Sequence, residues 1–500
     1  GLLFTRGYSQ PICSPTRATL LTGRQPYQHG VGNPGANSTL PDAELTFPEI
    51  ISTEAPNYGL ASFGKWHLGS GNTGAFETGG WPNFTGTLQG GIPDYNEWVH
   101  VKIENNILTD SGTNITDLVT AGDYLSPYAT SVQVDEAVSF ITGQGSDPWV
   151  VWMGFNAPHT PFHDPPANLA PSGNYSTSGN SNKDLYIRSL EALDTEIARL
   201  LTSVDLSKTN IIIIGDNGTP GQVDQAPAGG IAGAKGSLNE GGIHVPFFAI
   251  GPDILQIGTS DKLVHVADLF STVLDLTNVE IPAGIDHHSD SLVPIFNGTD
   301  TADRCIIAEV FGQNENDGRS LIMDDWPNYK LISTQDVSDP DDTPVYQMYL
   351  LGANGVEAST LTTPPNSGDA HEAAYLALLA KDQSLAPDSS GDGEIVNIDL
   401  PANAPPLINN NNGNIVRPNG ITIGGVAATW DTGNITDGGT TTSAARVDES
   451  GDPDRFSVVA DFDVAASGLN SGQSYDIIVS FPGAGGTSRL FTATNQFFVP

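Results

Sequence analysis

The feature that most constrains the fold is the alternation of short apolar runs with helical periodicity over residues 1–380. Short apolar runs bounded by turn residues are typical of buried strands, and apolar residues three and four apart are typical of helices packed on a sheet. Strands that alternate with helices predict an α/β fold. The strand candidates lie at 60–63, 149–153, 211–214 and 247–250, and the helix candidates at 134–141, 186–200 and 266–273.

The pattern changes after residue 300. The segments CIIAEV, YKLIST and VYQMYLL predict strands of a smaller sheet, and 371–381 predicts a closing helix. The next stretch is rich in Pro, Asn, Asp and Gly, which is typical of a linker, and alternating stretches beyond it predict a small all-β module. We therefore divide the sequence into a main α/β domain at 1–300, its C-terminal subdomain at 301–383, a linker at 384–414 and the β module at 415–500.

The charge of the chain excludes one broad class of function. The 500 residues carry a formal net charge of −39, with a sequence pI of about 4.2. Such a surface repels phosphate, so we exclude a general nucleic-acid binder. No apolar run approaches the ~18 residues of a membrane-spanning helix. The two cysteines, Cys13 and Cys305, are too few for a disulfide framework.

The first 41 residues hold three arginines and no acidic residue. They include the segment CSPTRATLLTGR, in which Ser14 is the expected N-cap of a helix, Pro15 its first residue and Gly23 its end. Cys13 then lies just ahead of the helix N-terminus, where backbone N–H groups and the helix dipole favour an anion. Arg17, one turn on, adds a positive charge at the same end. A lone cysteine is more often a small buried hydrophobe, so this segment alone leaves both interpretations open.

The pattern Cys-x-Pro-x-Arg followed by Leu-Thr-Gly resembles the signature of the formylglycine-dependent sulfatases, which belong to the alkaline-phosphatase-like superfamily. Four further segments resemble motifs of that family and occur in the family's order. Each alone has a plainer explanation, such as a solvated loop, a structural histidine or an Asp-Asn-Gly turn. Most of them follow an apolar run, so we expect them at the carboxyl ends of strands, where ligands bind in open α/β sheets. The segments are GKWHLG with Lys65 and His67, NAPHTPF with His159, GDNG with Asp216 and Asn217, and AGAKGSLNEGGIHVP with Lys235.

The resemblance implies a large mixed sheet flanked by helices, and a sulfuric ester hydrolase that acts on a carbohydrate or aryl sulfate. It implies that a separate maturation enzyme oxidises Cys13 to formylglycine, whose hydrate is the nucleophile. It also implies one Ca²⁺ per active site, held by Asp216, Asn217 and the converted Cys13. The other implied roles are Arg17 holding the diol, Lys65, His159 and Lys235 binding sulfate, His67 as the base of the elimination, and His159 or Lys235 protonating the leaving alcohol.

The resemblance covers residues 1–380 and departs from the family in two places. His244 stands where the family has Arg. The family also has a strand ending in an Asp-Asp pair, two metal ligands, several tens of residues ahead of the cysteine. We therefore expect an N-terminally truncated form that lacks the first strand, shows no signal for its implied periplasmic or secreted location, and is a poor enzyme. The pair Asp324–Asp325 follows an apolar stretch, but we expect a surface turn there.

Two alternative functions stay open at this point. One is a phosphonate monoester hydrolase or phosphodiesterase of the same superfamily, which can share the formylglycine signature. The other is an inactive truncated relative whose β module binds glycan, although Trp430 and Tyr475 favour a core role. Loops set specificity in such folds, and the candidates are the Gly- and Asn-rich stretches 70–92 and 164–182.

Overall fold

The computed structural model describes residues 1–385 except 36–37, 70, 72–73, 173–180, 224–232, 312–316, 336–343, 353–356 and 367–368, and beyond them the strands between 394 and 499. The chain divides into two compact units, Gly1–Asp382 and Gln383–Pro500. Over the described residues, no helix is both long enough and apolar enough to cross a bilayer.

The first unit is an α/β structure, as the sequence predicts. Its strands are β1 (Leu2–Phe4), β2 (Gly7–Tyr8), β3 (Gly59–Lys65), β4 (Asn83–Thr87), β5 (Val99–Glu104), β6 (Ile107–Asn114), β7 (Trp149–Gly154), β8 (Ile211–Ile214), β9 (Phe247–Ile250), β10 (Gly258–Ser260), β11 (Val264–His265), β12 (Cys305–Val310), β13 (Gly318–Met323), β14 (Tyr329–Thr334), β15 (Val345–Leu351) and β16 (Glu357–Leu361). Its helices are α1 (Cys13–Thr22), α2 (Pro26–His29), α3 (Phe47–Glu54), α4 (Gly74–Glu77), α5 (Ile115–Ala121), α6 (Ala129–Gln144), α7 (Asn182–Leu201), α8 (Glu240–Ile243), α9 (Asp268–Leu276), α10 (Val293–Asn297) and α11 (Glu372–Ser384).

Two sheets carry the residues that the sequence singles out. One has five strands in the order β6-β5-β4-β3-β7, with β3 parallel to both of its neighbours. The other has four strands in the order β10-β1-β9-β8, with β1 antiparallel to β9 and parallel to β10. The large mixed sheet of the prediction is thus present as two sheets. The predicted smaller sheet is the antiparallel order β12-β13-β14-β15-β16.

Helix α1 is buried along its whole length and packs on α3 and α9. Its residue Leu21 shares a core with Ile51 of α3 and Phe270 of α9, and each buried side chain of this size contributes about 1.5–3 kcal/mol. Gly23 ends α1 with φ +69°, and a Cβ there would lie 2.7 Å from Cδ1 of Phe270. Only glycine satisfies both conditions, so the predicted end of the helix is confirmed.

The predicted strands and helices of the first unit are present, with ends that differ by a few residues. The strands at 211–214 and 247–250 are β8 and β9, and the helix at 371–381 is α11. The sequence did not predict β1 and β2, which are too short to show a pattern, nor β4 to β6. The strand β6 reads ILTDSGTN and lies at the edge of its sheet, so no apolar face marks it.

The second unit contains β17 (Glu394–Asp399), β18 (Gly420–Ile423), β19 (Val426–Trp430), β20 (Asn434–Asp437), β21 (Thr440–Ser443), β22 (Arg446–Val447), β23 (Arg455–Asp461), β24 (Gln473–Pro482) and β25 (Ser488–Val499). Most of them form one sheet in the order β17-β23-β19-β18-β24-β25. The stretch predicted as a linker, 384–414, contains a strand, because β17 lies inside it and pairs antiparallel with β23. Its sequence EIVNID is β-branched at three of its positions, which suits a strand. The rest of 386–414 lies outside the described residues.

A buried ion group joins the smaller sheet to the main domain. The Nζ atom of Lys330 on β14 lies 3.0 Å from Oε1 of Glu240 on α8 and 2.9 Å from Oε1 of Glu357 on β16. Lys330 is 0% exposed. Buried carboxylates without a countercharge are strongly destabilising, so this lysine holds the two carboxylates in the interior.

We predict that Lys330→Met lowers the free energy of unfolding by about 3–5 kcal/mol, because it keeps the volume of the side chain but removes the cation that the buried Glu240 and Glu357 share. Denaturant unfolding measures this loss. The control is Lys208→Met, since Lys208 pairs with Asp205 at 3.6 Å while 81% exposed, and its loss is expected below about 1 kcal/mol. Equal effects of the two substitutions would contradict the prediction.

Candidate active site

The candidate nucleophile is the first residue of α1. Ile12 is the N-cap in extended conformation, with φ −139° and ψ 152°, and the helix begins at Cys13. This corrects the prediction that Ser14 caps the helix and Pro15 begins it. The Ser14 hydroxyl instead donates to the backbone carbonyl of His67 at 3.0 Å, so it is committed to another element. Cys13 therefore lies within the first turn, among the free N–H groups of the helix.

His67 contacts Cys13 directly, with 3.2 Å between Nδ1 and Sγ. Its backbone has φ +59°, in the left-handed region that a non-glycine residue occupies only when its surroundings hold it there. Ser14 binds its carbonyl, and its N–H donates to the carbonyl of Leu88 at 3.1 Å. Burial, with the charges of Lys65 and other nearby cations, lowers the pKa of His67 to about 2. The ring is therefore neutral and can accept a proton from the side chain of Cys13.

Arg17 reaches from α1 to the ends of three strands. Its guanidinium donates to the carbonyl of Lys65 at the end of β3 and lies 3.4 Å from Oδ2 of Asp216, which follows β8. It also lies over the ring of Trp152 on β7, 5.4 Å from the centroid. A Cβ at Gly154 would lie 2.9 Å from Nη1 of Arg17, so glycine makes room for the guanidinium. The guanidinium is buried, but it has a hydrogen bond to the Lys65 carbonyl and an ion pair with Asp216.

Three cations and one carboxylate dominate the electrostatics of the site. Burial, with the charges of Arg17 and Lys235, lowers the pKa of Lys65 to about 8, although Asp216 opposes this effect. Burial alone would raise the pKa of Asp216, but the charges of Arg17, Lys65 and Lys235 outweigh it and lower that pKa. At neutral pH the two lysines, the arginine and the carboxylate leave the cluster with an excess of positive charge. Such a cluster attracts an anion.

His159 is the second neutral histidine of the site. Burial, with the charges of Lys65 and Lys235, lowers its pKa to about 4. Its Nδ1–H donates to the carbonyl of Thr160 at 3.0 Å. The proton of the neutral ring is therefore on Nδ1, and Nε2 carries the free lone pair.

Asp216 and Asn217 supply oxygen atoms that suit a hard cation. The Nδ2 group of Asn217 donates to the carbonyl of Gly218 at 3.0 Å, which leaves Oδ1 buried without a hydrogen-bond partner. An orphaned amide oxygen beside a carboxylate fits part of a Ca²⁺ shell, which needs six or more oxygen ligands. Over the stretches that the structure describes, no group of three or more His, Cys, Asp and Glu side chains is arranged to hold a metal.

The structure brings the predicted site residues into one cluster through contacts or through-space charge effects. Sequence reasoning missed the residues that support them: the Ser14 hydroxyl, the Trp152 ring and the space at Gly154. Only the glycine left a signal, at the end of a predicted strand. The members of the cluster are Cys13, Arg17, Lys65, His67, His159, Asp216 and Lys235, with Asn217 next to Asp216.

Two further sequence features lie outside this cluster. Asp324–Asp325 is in the turn between β13 and β14, where Asp324 accepts from the N–H of Arg304 at 3.1 Å, as predicted for a turn. His244 stacks on Tyr8 with ring centroids 5.1 Å apart and lies 3.3 Å from Glu240. It supports the strand ahead of Cys13, so the departure from Arg does not alter the cluster.

Known proteins resemble this chain in sequence. The sulfatase family model matches residues 1–279. YdeN of Escherichia coli (strain K12), an uncharacterized sulfatase, is 28% identical over 319 residues, which are 59% of this chain and 54% of YdeN. The chain spans about half the length of the curated relatives it matches.

Solved structures share the fold at low sequence identity. Ps i-CgsB in complex with k-i-k-neocarrahexaose superposes with a TM-score of 0.59 at 19% identity, over 77% of this chain and 84% of that chain. BT4656 in complex with its substrate D-glucosamine-2-N,6-O-disulfate superposes with a TM-score of 0.56 at 17% identity, over 78% of this chain and 92% of that chain. The α/β architecture of this chain is therefore shared with these two solved structures.

We predict that the affinity for inorganic sulfate falls about tenfold between pH 7 and pH 9, because Lys65, with its pKa lowered to about 8, loses its charge in this range. Calorimetric titration at constant ionic strength measures the affinity. The variant Lys65→Arg keeps its charge at both pH values, so its sulfate affinity is expected to fall less than that of the wild type. A wild-type affinity that does not change with pH would contradict the prediction.

Proposed function

This chain belongs to the sulfatase family, and on that premise we propose that it hydrolyses an organic sulfate ester. The observation that carries the proposal is the contact between Cys13 and the neutral His67, inside a cluster of three cations at a helix N-terminus. A nucleophile precursor, a base and positive charge are the parts that transfer of an anionic group requires.

Binding of the ester begins with charge. Lys65 and Lys235 bind the sulfate oxygens, and the helix N-terminus at Cys13 adds free N–H groups. Arg17 is held by the Lys65 carbonyl and by Asp216, so its guanidinium is already in place before the substrate enters. Fixed cations stabilise the charge that develops on the transferring group without rearranging, which is the largest expected catalytic effect.

The two neutral histidines handle protons on opposite sides of the reacting group. His67 faces Cys13 and takes the proton of a hydroxyl held there. An anion beside His159 raises the pKa of that ring, because it offsets the cations that hold the pKa at about 4. His159 thus takes up a proton at Nε2 when the ester binds, and it gives this proton to the leaving alcohol. Lys235 is the alternative donor.

Two groups complete the site in this proposal. A maturation enzyme converts Cys13 to formylglycine, whose hydrate supplies the attacking hydroxyl. Asp216, the orphaned Oδ1 of Asn217 and that hydroxyl would hold Ca²⁺, and the ion would supply positive charge that acidifies a hydroxyl and neutralises sulfate oxygens. The chain's own contribution is to hold Arg17, His67 and Asp216 in fixed positions around that point.

A solved structure with the same fold, and not the cluster itself, supports the proposed substrate class. BT4656 has a sulfated glucosamine as its substrate, and we propose a carbohydrate or aryl sulfate for this chain. The activity is assigned to 1–300 with its subdomain 301–383, and 415–500 is an added β module. The predicted specificity loop 70–92 contains α4 and β4 and is therefore not one loop, whereas 164–182 stays the candidate specificity loop. Residues 70, 72–73 and 173–180 lie outside the described residues. A periplasmic or secreted location stays a prediction.

We predict that Cys13→Ala lowers kcat for 4-nitrophenyl sulfate by at least ~10³-fold, because the nucleophile is made from the Cys13 side chain. The protein is produced together with a formylglycine-generating enzyme, and hydrolysis is followed by nitrophenol release. Cys305→Ala is the matched control, since Cys305 lies on β12 of the smaller sheet, and we expect it to keep wild-type turnover.

Mass spectrometry and a second substrate complete this test. The tryptic peptide spanning residues 7–17 should carry an aldehyde or its hydrate in place of the thiol at Cys13. Full activity with an unmodified thiol would refute the proposed nucleophile. Faster turnover of phenylphosphonate esters than of aryl sulfates would instead identify the phosphonate hydrolase alternative.

A further inference from the structure

One short connection between β4 and β5, residues 88–95, contacts both candidate histidines. The carbonyl of Leu88 accepts from the N–H of His67, Gly90 lies against the His67 ring, and the Tyr95 hydroxyl binds the backbone at His159. We propose that Gly90 and Tyr95 are positioning residues: Gly90 sets the His67 ring against Cys13, and Tyr95 fixes the backbone of His159. This inference deepens the proposed function and rests on it for the roles of the two rings.

The space at Gly90 is set by the ring of His67. A Cβ at this position would lie 2.3 Å from both Cε1 and Nε2 of that ring, which is closer than any real contact. His67 cannot retreat freely, because its backbone is bonded on both sides and its Nδ1 lies 3.2 Å from Sγ of Cys13. A methyl group at 90 therefore displaces the ring from Cys13.

The next residue along the chain provides a contrast. A Cβ at Gly91 would lie 3.4 Å from Cε1 of His159, which is an ordinary van der Waals distance. Neither glycine has a positive φ, so the difference between the two positions is steric. The Gly-Gly pair thus contains one glycine that the His67 ring requires and one that tolerates a side chain.

Tyr95 closes the turn that carries His159. Its hydroxyl lies 2.8 Å from the carbonyl of Asn156 and 2.9 Å from the carbonyl of His159, so its one proton is shared between the two ends of the turn. The side chain is 0% exposed, and its ring stacks on His163 at a centroid distance of 3.9 Å. Tyr95→Phe keeps this stacking and removes the bonds to the turn alone.

Small displacements at these positions matter because proton transfer depends steeply on geometry. A shift of about 1 Å in a catalytic group costs on the order of 10²-fold in rate. The roles of the rings differ: His67 acts on the hydroxyl at Cys13, and His159 acts on the leaving alcohol. Displacing one or the other therefore has different kinetic consequences.

The first experiment compares Gly90→Ala with Gly91→Ala. We expect kcat for 4-nitrophenyl sulfate to fall about 10- to 100-fold in G90A and less than about threefold in G91A. Imidazole ¹H–¹⁵N spectra, with signals assigned through His67→Gln and His159→Gln, should show a shifted His67 signal in G90A only. Wild-type spectra and turnover in G90A would overturn the role of Gly90.

The second experiment compares Tyr95→Phe with Tyr128→Phe across aryl sulfates whose phenols differ in acidity. Tyr128 is also buried in this aromatic cluster, but its hydroxyl bonds His163 at 3.0 Å and not the His159 turn. We expect log kcat/KM to fall more steeply with leaving-group pKa in Y95F, since a misplaced His159 protonates poor leaving groups badly. The Y128F line should run parallel to wild type.

The outcomes distinguish failure of the positioning roles of Gly90 and Tyr95 from failure of the proposed hydrolase activity. An equal loss for all leaving groups in Y95F, with an unchanged His159 imidazole signal, would overturn the role of Tyr95 while the hydrolase activity stands. A wild-type protein that hydrolyses neither aryl nor carbohydrate sulfate esters, but whose His67 and His159 signals move in G90A and Y95F, would refute the proposed function and leave the positioning role intact.

Discussion

The buried guanidinium of Arg17 is the interaction on which the rest of the site depends. It extends from α1 and joins the carbonyl that ends β3, the Trp152 ring on β7 and the carboxylate that follows β8. These strands belong to two different sheets, so a single side chain relates both sheets to the helix that carries Cys13. Arginine suits this place because its planar fork is permanently charged and bonds in fixed directions. Arg17 therefore holds Lys65 and Asp216, the neighbouring charged residues, in place relative to Cys13.

Burial and nearby cations together keep the two histidines neutral. A histidine near a carboxylate commonly gains a proton, but His67 and His159 lie among Arg17, Lys65 and Lys235 and are held neutral. Neutral rings can accept protons, whereas imidazolium rings cannot. The cations that bind an anion also lower the proton affinity of both rings, and an arriving anion offsets these cations and raises that affinity.

The sequence predicts the parts of this protein that local pattern determines. Apolar runs locate β3, β7, β8 and β9, and the residues that follow the first three of these strands include those of the site. The features that the sequence does not predict depend on contacts between residues far apart in the chain. Ser14 has every property of an N-cap, yet its hydroxyl bonds a carbonyl 53 positions away. The edge strand β6 and the strand β17 are stabilised by pairing partners, which no local composition records. The need for glycine at 90 exists only once the His67 ring is beside it.

The neutrality of His67 and His159 also bears on how the site empties. Inorganic sulfate carries one more negative charge than the ester, so cations that attract the substrate retain the product more strongly. Interactions that favour both states equally raise occupancy without raising turnover. If both rings were protonated at rest, two more positive charges would face the departing dianion. Because burial and nearby cations keep these rings uncharged, the rings add nothing to the retention that Lys65, Lys235 and Arg17 cause, and the pocket can release sulfate and return to its starting state.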